Sequence, residues 1–224
     1  MQGVALTTPN SQLSTLISQL YPPANHSSLL TTYYLLLTTY YLLLTTYYLL
    51  TPFPMKYLIV SDIHGSETAL DKVIAYFHRE QCDMLLLLGD LLNFGPRNSI
   101  PEGHNPQAVA EKLNALADRI IAIRGNCDSE VDQMLLHFPI MADYAIVVDE
   151  GKRLLLTHGH KYNPENTAHL HFDALFYGHT HVKELYKSPV GKIICNVGSV
   201  TFPKAGNPPS FAVYEAGKIK LVKL

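Results

Sequence analysis

Five short apolar runs in this chain each lead into a fragment built from carboxylate, amide or imidazole side chains. Tyr57 to Val60 leads to Asp62-Ile63-His64, Met84 to Leu88 to Gly89-Asp90, and Ile120 to Ile123 to Gly125-Asn126. Leu154 to Leu156 leads to His158-Gly159-His160, and Ala174 to Tyr177 to Gly178-His179-Thr180-His181. Apolar runs of this length read as buried strands. In α/β sheets, ligands gather outside the carboxyl ends of the strands. The five ends are therefore expected to converge on one cluster of oxygen and nitrogen donors, which is what a divalent metal site requires.

Spacing sharpens this expectation. Residues two apart on a strand point to the same side. Asp62 and His64 are thus expected to chelate one ion, and so are His179 and His181 if the strand stays extended. Gly65, Gly89, Gly125, Gly159 and Gly178 flank the candidate ligands, where glycine lets the backbone turn sharply or approach a bound phosphate. A lone Asp-Xaa-His is a common strand-end turn. Five such fragments in order are not.

Charge divides the chain in two. Its first 54 residues contain no Asp, Glu, Lys or Arg, so all 17 basic and 19 acidic residues lie between 55 and 224. That second part is long enough for one well-buried core. The net charge is −2 with no long basic run, so extended binding to nucleic acid is not signalled. Cys82, Cys127 and Cys195 are widely separated and odd in number. They form neither a disulfide framework nor a paired zinc knuckle, and a reducing, cytoplasmic setting fits. A homo-oligomer is compatible with everything above.

Residues 1–54 pose a separate problem. Thr31 to Leu37 reads TTYYLLL, Thr38 to Leu44 repeats it unchanged, and Thr45 to Leu50 repeats it truncated. The uncharged run is long enough to span a bilayer. It is rich in Thr and Tyr, however, and lacks basic flanks to set orientation. No charged segment precedes it, as a signal peptide would need. A tandem seven-base DNA repeat, read as ACT ACT TAC TAC TTA CTA CTT, encodes this peptide heptad. The favoured expectation is a start codon set upstream of a true start at Met55. A disordered extension and a membrane anchor are the alternatives, and no membrane association is expected.

From Lys56 the order of elements is readable. Strands are predicted at Lys56 to Ser61, Asp83 to Leu88 and Arg119 to Arg124. Helices are predicted at Glu67 to Arg79 with Ser66 as N-cap, at Pro106 to Leu116, and after Ser129 through Leu136. Leu91 to Asn105, rich in Gly, Pro and Asn, is predicted as a long functional loop. Tyr144 to Val148 and Arg153 to Thr157 read as a hairpin around Glu-Gly-Lys. Ala174 to Tyr177, Val182 to Tyr186, Lys192 to Cys195, Phe211 to Glu215 and Ile219 to Val222 complete the strands. Strand–helix alternation followed by strands fits two packed sheets with outer helices. Loop 91–105 and Leu136 to Ala142 are expected to shape the entrance to the site.

Residues 55–224 resemble the calcineurin-like metallophosphoesterases, and within them the small bacterial phosphodiesterases of the YfcE type. The resemblance rests on Ser61-Asp62-Ile63-His64-Gly65, Gly89-Asp90 with Asn93 and Gly95-Pro96-Arg97, and Gly125-Asn126-Cys127-Asp128. Thr157-His158-Gly159-His160, Gly178-His179-Thr180-His181 and Asn196-Val197-Gly198-Ser199 complete it. It implies an α/β fold of the αββα four-layer sandwich type. It also implies two divalent ions, with Asp62, His64 and His181 on one, Asn126, His158 and His179 on the other, and Asp90 between them. Mn²⁺ is favoured, and Fe²⁺ or Zn²⁺ suits the same donors. His160 is expected to act in catalysis by orienting a ligand or touching phosphate. Arg97 and Asn126 are expected to bind substrate, since arginine grips two phosphate oxygens at once.

The implied activity is hydrolysis of small phosphodiesters by hydroxide activated between two metals. Phosphomonoester hydrolysis on the same site and a non-catalytic scaffold are the alternatives. Two departures from the wider superfamily stand out. Many members carry histidine at the position of Cys127 and aspartate at that of Asn93. Both halves of that acid pair are replaced here together.

Overall fold

The computed structural model of the chain describes residues 26–50 and 54–224. The chain divides into two units between Phe53 and Pro54. The expectation for residues 1–25 and 51–53 lies outside the described part. His26–Leu50 forms one helix, α1. Three successive leucines, two tyrosines and two threonines per heptad spread each residue type around the axis, so no apolar face forms. Thr38, Thr39, Thr45 and Thr46 donate their hydroxyls to carbonyls four residues back. Among the described residues no helix is long and apolar enough to cross a membrane.

The second unit is built from two five-stranded sheets. Strands β1 (Lys56–Val60), β2 (Met84–Leu87), β3 (Ile120–Ala122), β9 (Ser210–Glu215) and β10 (Lys218–Lys223) form the first, in the order β10-β9-β1-β2-β3. Strands β4 (Tyr144–Asp149), β5 (Lys152–Thr157), β6 (Ala174–Tyr177), β7 (Glu184–Lys187) and β8 (Ile193–Asn196) form the second, in the order β4-β5-β6-β8-β7. The β1-β2-β3 and β5-β6-β8 sets run parallel. Each set therefore presents its carboxyl ends on one side.

Side-chain alternation explains the layers. Tyr57, Ile59, Leu86 and Leu88 pack with Leu154, Leu156, Phe176 and Cys195 between the sheets. Leu58, Val60, Leu85 and Leu87 face the other way, against helices α2 (Glu67–Arg79) and α3 (Pro106–Asn114) through Leu70, Val73, Phe77, Val109 and Leu113. Each fully buried side chain of this size stabilises by about 1.5–3 kcal/mol. Cys82 and Cys195 are buried free thiols in these layers.

The α/β four-layer class holds, with one outer layer thinned. The outer face of the second sheet is covered at Leu155, Leu175, Tyr177 and Ile194 by Leu170 and Phe172 of the non-helical segment 158–173. Lys192 spans this cover, placing its ammonium 3.9 Å above the Phe172 ring.

Several predicted boundaries shift for local reasons. Ser66 caps α2 as expected. Ser129 and Asp132 form a reciprocal cap for α4 (Glu130–Leu135), a device worth about 0.5–2 kcal/mol. Helix α3 ends at Asn114, and a 3₁₀ turn takes Ala117–Arg119. Arg119 is held there by its guanidinium, which donates to the carbonyls of Cys82 and Asp83. Strand β7 begins two residues late because His181 takes a left-handed φ of 60° and its carbonyl accepts the N–H of Lys204. Segment 136–142 alternates, with Leu136, Phe138 and Ile140 buried and His137, Pro139 and Ala142 exposed, and none of it lines the cleft described below.

Candidate metal centre

The ends of β1, β2, β3, β5 and β6 do converge, but not by strand alternation. Asp62, His64, Asp90, His179 and His181 all adopt positive φ, between 52° and 64°. The expectation that an extended strand pairs Asp62 with His64, and His179 with His181, is thus corrected. The chain leaves each strand and coils tightly, at a strain of order 1–3 kcal/mol per residue. Hydrogen bonds between loops hold this shape. His64 N–H donates to the Asp90 carbonyl at 2.9 Å and Gly65 N–H to Leu91 at 2.9 Å. His179 N–H donates to Asp62 Oδ2 at 3.1 Å, and the Ser199 hydroxyl donates to the Asp62 carbonyl at 3.0 Å. Gly89 is required because a Cβ there would strike the backbone nitrogen of Gly125. Gly178 is required because a Cβ would strike Ser61 and Asp62.

Three histidines are aimed by backbone carbonyls. Nδ1 of His64 faces Asn93 O at 2.9 Å, that of His158 faces Leu88 O at 2.7 Å, and that of His181 faces Phe202 O at 2.7 Å. A carbonyl only accepts, so each Nδ1 carries the proton and a neutral ring keeps its Nε2 lone pair free. Those lone pairs meet other acceptors. His181 Nε2 is 3.1 Å from Asp62 Oδ1, and His158 Nε2 is 3.0 Å from Asn126 Oδ1. Asp90 Oδ2 stands 3.5 Å from His158 Nε2 and 3.7 Å from His64 Nε2. Asp62 Oδ1 is buried with no hydrogen-bond partner. Acceptors facing acceptors in a buried cluster need cations between them, and this donor set suits a divalent metal.

Charge follows this geometry. Burial pushes the Asp62 carboxyl up, but the adjoining His181 and His64 imidazoles outweigh it and hold the group well below the usual carboxylate range. Burial pulls the His64 imidazole down, yet its contacts with Asp62 leave it raised overall. His179 is lowered by burial and by His158.

Each expected site residue has a place. Asp62, His64 and His181 form one cluster, and Asp62, Asp90 and His158 form a second. Asn126 joins the second through His158, and the His179 ring lies 5.1 Å from the His158 ring. Arg97 lines the same 710 Å³ cleft as His64, Asp90, Asn126, His179 and His181. Loop 91–105 supplies that wall, as expected. His160 is not among the residues lining that cleft, its ring lying 5.2 Å from that of His158. Burial and the neighbouring His158 and His179 lower its pKa to about 4, so it is uncharged at neutral pH.

Two contributors, Asp128 and Lys204, escaped the sequence reading. Asp128 accepts the N–H groups of Asp90, Leu91 and Gly125 at 2.7–2.8 Å. An acid directly after Gly-Asn-Cys was the available signal. Lys204 lines the cleft, positioned by its N–H bond to His181, and nothing in its sequence context marks it. Cys127 brings its sulfur into a cluster with His64 and Asp90.

Residues 55–218 match the profile of the calcineurin-like phosphoesterase superfamily domain. The chain belongs to that superfamily. It is 49% identical over 172 residues to Phosphodiesterase YfcE of Escherichia coli strain K12, covering 76% of this chain and 92% of that protein. The solved structure of YfcE, a phosphoesterase from E. coli, superposes with a TM-score of 0.73 at 46% identity, covering 75% of this chain and 93% of that one. An archaeal phosphodiesterase structure shares the fold, with a TM-score of 0.59 at 22% identity over 76% of this chain and all of its own. The αββα fold and candidate metal-ligand residues are thus both present.

Proposed function

We propose that the chain is a phosphodiesterase acting on small diesters with two divalent ions, Mn²⁺ favoured. Asp62, His64 and His181 would hold one ion and Asn126, His158 and His179 the other, with Asp90 shared. The observation that carries this reading is the set of Nε2 lone pairs turned toward Asp62, Asp90 and Asn126 oxygens, with Asp62 Oδ1 unpartnered. Similarity to YfcE supports the diester preference.

Bound metals of this kind supply Lewis acidity and lower the pKa of water. The residues do the rest. Asn126 contributes a neutral oxygen, which adds no repulsion toward an anionic phosphate. Arg97, exposed on the loop wall, offers paired donors to phosphate oxygens. His160, neutral, offers hydrogen bonds rather than a positive charge. No side chain near the cluster is required as nucleophile.

The test is a panel of nitrophenyl diesters and monoesters with purified protein, stripped by chelator and reloaded with Mn²⁺. Diester hydrolysis should appear on reloading and exceed monoester hydrolysis. Faster monoester turnover would make it a phosphomonoesterase. Metal uptake without turnover of either ester would make it a scaffold.

A further inference from the structure

Two clefts of opposite charge meet at His179 and Thr180, which line both. The first is the 710 Å³ cleft over the metal cluster, with Arg97 and Lys204 on its walls. The second, of 460 Å³, is lined by His160, Glu165, Tyr177, Glu184 and Tyr186 among others, with no lysine or arginine. Lys161, the neighbouring cation in sequence, is held 2.6 Å from Asp143. Glu184 accepts the hydroxyl of Tyr177, which fixes the carboxylate against an aromatic ring. Tyr186 is half-exposed on the same strand. His160 adds a buried Nδ1 that has no hydrogen-bond partner.

Carboxylates beside aromatic faces attract ammonium groups by charge and by the ring quadrupole. They repel a second phosphate. The Arg97 and Lys204 walls have the reverse preference. A phosphodiester seated at the cluster has two arms, and the shared His179–Thr180 wall puts both clefts beside it. We propose that the Glu165–Glu184–Tyr186 cleft is the subsite for one alcohol arm and selects an arm bearing positive charge, such as an amino alcohol. This rests on the phosphodiesterase reading above.

The test uses purified full-length protein with Mn²⁺ and three diesters that share a nitrophenyl group: nitrophenyl phosphocholine, nitrophenyl thymidine 5′-phosphate and bis(nitrophenyl) phosphate. The readout is kcat/KM for each of the first two relative to the third. The unaltered protein should favour the choline arm. Glu165→Gln with Glu184→Gln should lower the choline ratio about fivefold, mainly through KM, the size that two exposed charge contacts give. Glutamine keeps an acceptor for Tyr177. Should the pair fail to fold, Glu165→Gln alone, on an exposed loop, should show about half the effect on the free-energy scale. An unchanged choline ratio overturns the subsite while leaving the diesterase reading standing. A fall in the thymidine ratio instead assigns the cleft to a nucleoside and overturns the charge assignment. No diester hydrolysis by the unaltered protein overturns both readings.

Discussion

The carboxylate of Asp128 accepts the backbone N–H of Asp90 at 2.8 Å. The same carboxylate binds Leu91 N–H at 2.8 Å and Gly125 N–H at 2.7 Å. It therefore ties the loop after β2 to the loop after β3, and with them Asp90 to Asn126. Asp128→Asn would turn an NH₂ group toward one of those N–H donors. Leaving one buried donor unpaired costs about 1–3 kcal/mol. Urea unfolding should show a loss of that size, and metal affinity should fall about 10–100-fold, as when a supporting partner of a ligand is lost. Unchanged stability in the variant would remove Asp128 from this role.

Asp90 has a more direct part. Its Oδ1 accepts Cys127 N–H at 2.8 Å, while its Oδ2 faces both His64 and His158. Asp90→Asn keeps the shape but removes the negative charge between the two ligand sets. Most diesterase activity should be lost at ordinary Mn²⁺ concentration. Near-full activity there, with metal content measured in parallel, would reject Asp90 as the shared ligand.

How much of this site was legible varied with its physics. Strand ends were readable because buried strands are continuous apolar runs, and the ligands of 62–64, 90, 126, 158 and 179–181 directly follow them. The conformations that aim those ligands were not. Asp62, His64, Asp90, His179 and His181 are left-handed without being glycine, against their local preference, and only contacts between loops impose this. Lys204 reaches the cleft through a bond to His181 from a distant turn, which no local pattern records. The thinned outer layer was hidden for a related reason. Leu170 and Phe172 cover the second sheet from an irregular segment with no helical periodicity to reveal it.

Protons should compete with metal at His64. Burial lowers its pKa, but Asp62 raises it overall above the ordinary value of 6.5. A protonated ring has no lone pair for a metal. Metal affinity of the stripped protein should therefore weaken as pH falls, beginning above pH 6.5. Calorimetric Mn²⁺ titrations from neutral to mildly acidic pH should also show proton release on binding. Affinity independent of pH over that range would count against imidazole ligands.

A polypeptide beginning at Met55 should fold and retain activity. All three apolar clusters and every candidate site residue lie between Tyr57 and Leu224. The described side chains of α1 are mostly exposed. Its unfolding midpoint and diesterase rate should match those of the full chain. Loss of either would give residues 1–54 a structural or catalytic part.

Cys127 stands where many family members carry histidine, and Asn93 stands where they carry its aspartate partner. Burial and the Asp90 charge push the Cys127 thiol up to about 12. In the metal-free protein it is thus a neutral thiol, and neither that form nor a thiolate beside bound cations is a strong acid toward a departing alkoxide. General acid catalysis is typically worth about 10²–10⁴-fold and matters most for poor leaving groups. Cys127→Ala removes no comparable acid, so hydrolysis of a nitrophenyl diester should stay within about tenfold of the unaltered protein. Cys127→His alone should help alkyl esters only modestly, because Asn93 carries no charge to stabilise an imidazolium. Adding Asn93→Asp should help them more. The ratio of alkyl to nitrophenyl ester rates across these variants checks the argument. If Cys127→Ala abolishes turnover while metal content is unchanged, the thiol takes part in the chemistry and the mechanism must include it.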